Sequence, residues 1–312
     1  MPASQGPPRP TAPRSTARAD APRSATRADL VRALLAKKQP LVMGGFYDGV
    51  SARLVAKAGF PLAFMGGYAV AASLLGEPDI GLLGQAEMAD AARRLCRLVP
   101  APVLVDADTG YGGIPNVVRT AELYAQAGAA GLFLEDQVWP KRCGHMRNKK
   151  VIDREEYVDK IRAAVDARAG RDFFIVARTD ALAIHGMDEA IARVTAAREA
   201  GANASFVEAP ASLQDLIEIG KRSPWPNVAN MIEGGKTPVL PKEQLVALGF
   251  QIILYPLAGL FSAAKIMEEI FRKLQLAGTT LGDEQRLMTF SEFNRLIGVE
   301  EKYDLAERFG VR

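Results

Sequence analysis

Histidine and cysteine are scarce in this chain, with two of each in 312 residues. Cys96 and Cys143 lie in unrelated contexts, which excludes a disulfide framework and points to free thiols in a reducing compartment, read here as the cytoplasm. No stretch approaches the roughly 20 apolar residues that span a bilayer, so no membrane partner is expected and the protein is read as soluble. Charge of one sign is lacking too. The formal net charge of +3 is contributed partly by the N-terminal tail, which gives no reason to expect nucleic acid or an anionic surface. Apolar residues at 48% and charged residues at 24% are ordinary for a globular protein.

Residues 1–28 hold six prolines, five arginines and one acid, without hydrophobic periodicity. Such a segment cannot bury enough surface to offset the entropy of ordering, and a disordered tail is expected. Its Arg-rich, acid-poor character resembles a transit peptide in part. The prolines oppose an amphipathic helix, however, and no secretory apolar core is present.

From Asp29 onward short apolar runs alternate with helical periodicity. Strands are expected at 41–43, 62–65, 103–105, 130–134, 173–177, 204–207, 228–231 and 252–254, with helical patterns such as 48–58, 86–98, 115–127, 188–200 and 242–248 between them. Glycines 59, 128, 201 and 249 close several helices. Eight such pairs imply a (β/α)8 TIM barrel spanning residues 29–312 as one domain. Beyond the eighth strand, a helix around 258–276 and a short one opened by Thr289 and Glu292 exceed what the barrel needs. These helices cover either a neighbouring subunit or the chain's own barrel.

In this fold the chemistry sits at the C-terminal ends of the strands. Those ends read Gly66 and Gly67, Asp106 and Asp108, Glu135 and Asp136, Arg178 and Asp180, Glu208, then Asn230 and Glu233. Asp106 and Asp108 are expected on one side of an extended segment. With Glu135 from the next strand they form a hard oxygen cluster suited to Mg²⁺, with Mn²⁺ as a substitute. A protonated cluster, or one neutralised by Arg178, is the alternative. Zinc fits less well, because Cys143 and His145 share a loop without tetrahedral-site spacing.

Backbone amides at Gly66 and Gly67 can hold a carboxylate or phosphate. Arg178 can bind a carboxylate bidentately, Asn230 can hydrogen-bond one, and Glu208 can orient Arg178 or accept a proton. No lysine ends a strand inside the barrel, which argues against Schiff-base chemistry. One rare thiol and one rare imidazole meet in KRCGH, where Lys141, Arg142, Gly144 and His145 surround Cys143. That setting is expected to lower the thiol pKa towards neutrality and let Cys143 act as acid or base. Cys96, in an apolar context, reads as core, and His185 as a loop or capping residue.

KRCGH, with DADTGYGG before it and ARTDA and NMIEGGKTP after it, resembles the isocitrate lyase and phosphoenolpyruvate mutase superfamily over residues 30 to about 310. The pentapeptide marks the lyase branch, which includes 2-methylisocitrate, 2,3-dimethylmalate and 2-alkylmalate lyases. The resemblance implies a barrel with a swapped eighth helix, homotetramers built as dimers of dimers, Mg²⁺, and a KRCGH loop that closes over substrate. By position it implies Asp106, Asp108 and Glu135 as metal-site acids, Asp79 as a further acid near the metal, and Cys143 as catalytic acid. Arg178, Glu208 and Asn230 match substrate-binding or supporting positions, and Phe64, Gly66 and Gly67 match the loop that grips a keto-acid carboxylate. Two departures stand out. Relatives commonly carry Ser where this chain has Gly66. Methylisocitrate lyases tend to read N-x-T-E where this chain has Asn230, Met231, Ile232 and Glu233.

Ile232 cannot hold a third carboxylate, so a small-molecule dicarboxylate bearing alkyl groups suits the site better than a tricarboxylate. The expected activity is Mg²⁺-dependent carbon–carbon cleavage of a 2-hydroxy dicarboxylate to a 2-keto acid and a carboxylate, with Cys143 as proton donor and Lys141, His145, Arg178 and Glu208 around it. Phosphoryl transfer of the carboxyphosphoenolpyruvate phosphonomutase type, or oxaloacetate decarboxylation, is the alternative.

Overall fold

Eight parallel strands close on themselves in the computed structural model, which describes residues 26–167 and 172–310. They are β1 (Leu41–Phe46), β2 (Leu62–Met65), β3 (Val103–Asp106), β4 (Gly131–Glu135), β5 (Phe174–Thr179), β6 (Ala204–Val207), β7 (Asn227–Asn230) and β8 (Ile252–Tyr255). Pairing of Leu41 with Ile252 through Gly44 with Tyr255 completes the ring. The expected TIM barrel is thus present, each strand within three residues of its apolar run.

Period-two alternation explains why these runs are apolar throughout. One set of residues, among them Met43, Phe64, Leu104, Phe133, Val176, Phe206 and Leu254, fills the barrel interior. The alternate set, including Met65, Val105, Leu132, Leu134, Ile175 and Ala177, packs outward against the helices. Both faces are buried, so a polar residue within a strand needs a partner, as Ser205 of β6 finds in Ser223 and the Pro226 carbonyl.

Helix α1 (Arg27–Ala36) adds Ala28, Val31 and Leu35 to the interior cluster. Thr26 and Asp29 form a reciprocal capping box, and Arg32 and Thr26 both bind Asp172, just before β5. The helix therefore closes the barrel at the N-terminal ends of its strands. Thr26 to Ala28, assigned to the tail from composition, belong to this cap and helix. The i, i+3, i+7 apolar stripe was hidden by the proline-rich context. The rest of the tail, residues 1–25, lies outside the described residues.

The remaining helices are α2 (Gly49–Ala58), α3 (Gly67–Leu75), α4 (Gln85–Leu95), α5 (Ile114–Gln126), α6 (Arg154–Ala167), α7 (Leu182–His185), α8 (Met187–Glu199), α9 (Leu213–Arg222), α10 (Lys242–Ala247), α11 (Ala258–Ala277), α12 (Phe290–Ile297) and α13 (Val299–Arg308). Asp48 caps α2 and Gly59 ends it at φ 75, the left-handed geometry expected of that glycine. Thr289 and Glu292 form the expected capping box on α12. Within the chain, α11 buries Ile270, while Phe271, Leu276, Phe290 and Phe309 are exposed on α11, α12 and the end of α13. No described helix is long and apolar enough to cross a membrane.

Candidate active site

The inward-facing aromatic residues Phe64, Phe133 and Phe206 stack edge to face, with centroids 5.0 and 5.9 Å apart, and form the floor of a cavity. Above them the strands run out of apolar residues. Asp106, Arg178, Glu208 and Asn230 supply one polar wall, and Asp79 joins them from the loop after α3. Ile232, Leu254, Pro256 and Leu257 make an apolar wall. Cys143, Gly144 and His145, from the loop after β4, complete the lining. Phe64, Gly66, Asp79, Asp106, Cys143, Gly144, His145, Arg178, Glu208 and Asn230 are thus brought together as expected. Gly67, Asp108, Glu135 and Lys141 are buried beside them.

Gly67 opens α3, and its N–H donates to Asp106 Oδ2 at 3.2 Å. That amide is engaged by the Asp106 carboxylate here. The first turn of α3 is left with backbone amides that have no side-chain cap, an arrangement that favours an anion. A side chain at Gly66 would meet the Phe64 ring at 2.8 Å. Phe64 thus fills space that a serine at 66 would need, which accounts physically for the glycine.

Asp106 and Asp108 converge by a different route from strand alternation. Asp108 lies at φ 47, past the end of β3, and its amide donates to Asp106 Oδ1 at 3.1 Å. Both carboxylates come within 3.4 Å of where a Cβ on Gly67 would stand. Lys141 then enters from the loop. Its ammonium, 3% exposed, lies 2.5 Å from Asp79 and 2.7 Å from Asp108. Burial works to lower the Lys141 pKa, but Asp108 and Asp79 outweigh it and hold the group well above its ordinary value. A lysine therefore does reach the site, fixed as a cation, which keeps it unsuited to Schiff-base chemistry.

Glu135 is drawn to Arg178 at 3.2 Å, and its Oε1 has no hydrogen-bond partner among the described residues. Burial pushes its pKa well up despite Arg178. Asp108 is pushed up to about 7, again by burial first, with Lys141 opposing and Asp106 and Asp79 adding to the rise. Glu208 behaves oppositely. Burial alone would raise it, yet Arg178 and then His145 hold it well below the usual carboxylate range. Arg178 lies 3.3 Å from Glu208 and 2.9 Å from Asp180, so it is aligned by three acids.

Among the described residues no group of three or more His, Cys, Asp or Glu is arranged to hold a metal ion, and the expected three-carboxylate cluster is divided between Lys141 and Arg178. Mg²⁺ does not need a protein cage, since it commonly takes one or two carboxylates together with water and substrate oxygens. Asp79, Asp106, Asp108 and Glu135 outnumber the two cations among them, and one Glu135 oxygen is unpaired. That excess of buried oxygen charge fits a hard divalent ion.

The Cys143 loop is held on several sides. The Cys143 amide donates to Asp79 O at 3.1 Å, and Gln137 brackets Arg142 through both its backbone groups. Lys149 donates to Gly144 O and to Asp180, each at 2.6 Å. His145 Nε2 stands 3.2 Å from Glu208, although not aligned as a hydrogen bond. Gly144 permits the closest approach, because a Cβ there would overlap Glu208 and come within 2.6 Å of Arg178 Nη2.

The thiol itself overturns one expectation. Burial pushes Cys143 up to about 12, with the His145 amide and Arg178 opposing and Asp79 and Glu208 reinforcing. Lys141, read as a neighbour that would lower it, instead points to Asp79 and Asp108. Cys143 is thus a thiol that keeps its proton, suited to donate one. Cys96 is core, as expected, and is also pushed up to about 12 by burial. His185 ends α7 and is exposed, as is Glu233, which stands clear of the cavity lining. Lys149 and Tyr68 carry no sequence signal for the site. Lys149 sits in a run of polar and basic residues with no periodic signal, and Tyr68 is one residue beyond the glycine pair.

The sequence profile of the family described as phosphoenolpyruvate phosphomutase matches residues 31–275. The chain is 46% identical over 280 residues to the chloroplastic carboxyvinyl-carboxyphosphonate phosphorylmutase of Arabidopsis thaliana, covering 88% of this chain and 83% of that one. It is 44% identical over 281 residues to the 2,3-dimethylmalate lyase of Eubacterium barkeri, covering 90% and 97%. A crystal structure of 2,3-dimethylmalate lyase, a PEP mutase/isocitrate lyase superfamily member, superposes with a TM-score of 0.86 at 39% identity, covering 93% of this chain and 97% of that chain.

Proposed function

The chain belongs to the phosphoenolpyruvate phosphomutase and isocitrate lyase superfamily, and from that premise we propose that it cleaves the carbon–carbon bond of an alkyl-bearing 2-hydroxy dicarboxylate of the 2-alkylmalate or 2,3-dimethylmalate type. The products are a 2-keto acid and a carboxylate. The observation that carries the reading is the Cys143 thiol lining the same cavity as Arg178, Glu208 and Asp106.

Asp106, Asp108 and Glu135 would hold Mg²⁺, which when bound supplies Lewis-acid polarisation of the substrate 2-hydroxyl and its carboxylate. Arg178 pairs with a substrate carboxylate, and the uncapped turn of α3 favours a second. Glu208, whose carboxylate faces the cavity, accepts the hydroxyl proton, that carbon becomes a ketone as the C–C bond breaks, and the bonding electrons pass to the other fragment. Cys143 gives its proton to the carbon that receives them, and the fragment leaves as a carboxylate. Ile232, Leu254 and Leu257 line the side of the cavity where alkyl groups can replace water.

The test is a panel of alkylmalates and isocitrates with Mg²⁺, following keto-acid release, on wild type and Cys143→Ser. Cleavage of an alkylmalate that drops about 10²-fold or more in kcat in the variant supports the reading, that being the contribution of a positioned proton donor. Near-normal turnover in the variant removes Cys143 from the chemistry. Preference for methylisocitrate over every alkylmalate removes the substrate assignment. The 46% identity to a phosphorylmutase supports a second reading, in which Arg178 and the α3 terminus hold a phosphonate. Phosphorus NMR with a carboxyphosphonoenolpyruvate analogue distinguishes the two. We also propose a homotetramer in which the exposed apolar residues of α11–α13 are covered by neighbouring subunits, a state that sedimentation would measure.

A further inference from the structure

The loop between β7 and α10 grips His145, and we propose that Gly235 and Lys236 are positioning residues that latch the Cys143 loop over the cavity. The proposal rests on the preceding reading only in taking Cys143 as the group that must be brought to substrate. Lys236 reaches two consecutive residues of that loop. Its backbone N–H donates to His145 Nδ1 at 2.9 Å, and its Nζ donates to Met146 O at 3.2 Å. An imidazole that accepts at Nδ1 carries its proton on Nε2. The latch thus fixes the ring with its Nε2 side turned to Glu208, 3.2 Å away.

Gly235 makes the grip possible. A Cβ there would stand 2.6 Å from His145 Nδ1 and 3.0 Å from Cε1, so any side chain displaces the ring and breaks the Lys236 bond. The glycine is not in the left-handed region, and alanine costs nothing from the backbone itself. Both residues are exposed, so core packing does not account for the contact.

The other fastenings of the loop are stronger. Lys141 to Asp79 and Asp108, and Lys149 to Asp180, are buried charged pairs, whereas the Lys236 bonds are exposed. The loop is therefore weakest at His145 and Met146, and opening starts there. β7 also carries Asn230 to the cavity and leads to Ile232 in the apolar wall, so a substrate filling that wall bears on the latch.

Cys143 reports the state of the loop independently of turnover, because the chain's other thiol, Cys96, is 1% exposed in the core. The experiment measures alkylation of Cys143 by iodoacetamide in the full chain, by peptide mass, beside kcat and KM for an alkylmalate. Gly235→Ala should raise the alkylation rate about tenfold, since it removes both the amide bond and the ring position. It should lower kcat with KM changed less than about threefold, because Arg178 is untouched. Lys236→Met should raise alkylation about two- to fivefold, the net worth of one exposed hydrogen bond, and Lys236→Arg should restore the slow rate. If Gly235→Ala fails to fold, the Met and Arg pair decides. Wild-type alkylation rates in the folded variants overturn the latch. Faster alkylation in a protein whose wild type cleaves no alkylmalate upholds the latch and overturns the lyase reading instead.

Discussion

Replacing Gly144 by alanine tests whether the Cys143 loop must rest directly on Glu208 and Arg178. The new Cβ would overlap the Glu208 side chain and lie 2.6 Å from both Glu208 Cδ and Arg178 Nη2. Carbon atoms settle at roughly 3.5 Å or more, so something must retreat by about 1 Å. Arg178 is held by Glu135, Asp180 and Glu208, and Glu208 is held in turn by Asn230 and the Ala209 amide. The loop is the softer partner. It moves, and the Cys143 sulfur moves with it.

A misplacement of about 1 Å at a reacting group costs about 10²-fold in rate. We therefore expect kcat for Gly144→Ala to fall about 10²-fold, with KM changed much less because the carboxylate contacts stay in place. Stability should change little, since the residue lies on a loop outside the barrel core. The assay is keto-acid release under saturating alkylmalate, with a thermal melt beside it. A folded variant that keeps kcat within about threefold of wild type refutes the argument. It would mean that the loop does not sit this close when the enzyme turns over.

Because Cys143 is pushed up to about 12 and must be protonated to donate, it remains competent as pH rises until that value. Thiolate absorbance should therefore show no Cys143 titration below about pH 10, and kcat should show no matching fall, whereas a thiol limb near neutrality sinks the donor assignment. Ile232→Thr should lower kcat/KM for alkylmalates about tenfold and raise relative activity on isocitrates, the scale set by small pocket changes. Asp106→Asn should weaken Mg²⁺ binding at least about tenfold by calorimetry, and equal binding in both proteins removes Asp106 from the ion's shell. Arg193→Met leaves Asp136 without its buried cation, 3.1 Å away, and should destabilise the fold by about 3–5 kcal/mol in urea. A loss below about 1 kcal/mol would show that Thr179 and the Asp180 amide satisfy Asp136 alone.

The barrel was legible because most strands are buried on both faces, which leaves a short, mainly apolar run with polar residues at or just beyond its end. Ala130 to Glu135 shows this best, with an apolar run that stops at the mouth. Helix α1 was only partly legible. Its stripe of Ala28, Val31 and Leu35 is short, and the partner that fixes its start, Asp172, lies 146 residues beyond Thr26. A capping box is local and readable in retrospect, but the reason this one forms is a tertiary contact.

The site divides along the same line. Strand ends account for Gly66, Asp106, Arg178, Glu208 and Asn230 in the cavity lining, whereas Cys143, Gly144 and His145 were legible from the rare thiol and imidazole of one loop, and Phe64 and Asp79 only from the family resemblance. How they pair does not follow, because pairing depends on directions that neighbours in sequence do not determine. Lys141 is two residues from Cys143, yet its charge goes to Asp79, 62 residues earlier, and to Asp108. The thiol is left with burial as its dominant influence, and the sign of its pKa shift reverses. The same diversion divides the carboxylates that sequence position alone would pool around one ion. A cation near a thiol in sequence lowers its pKa only if no buried acid claims that cation first. This site holds more buried acids than cations, so its cations are claimed.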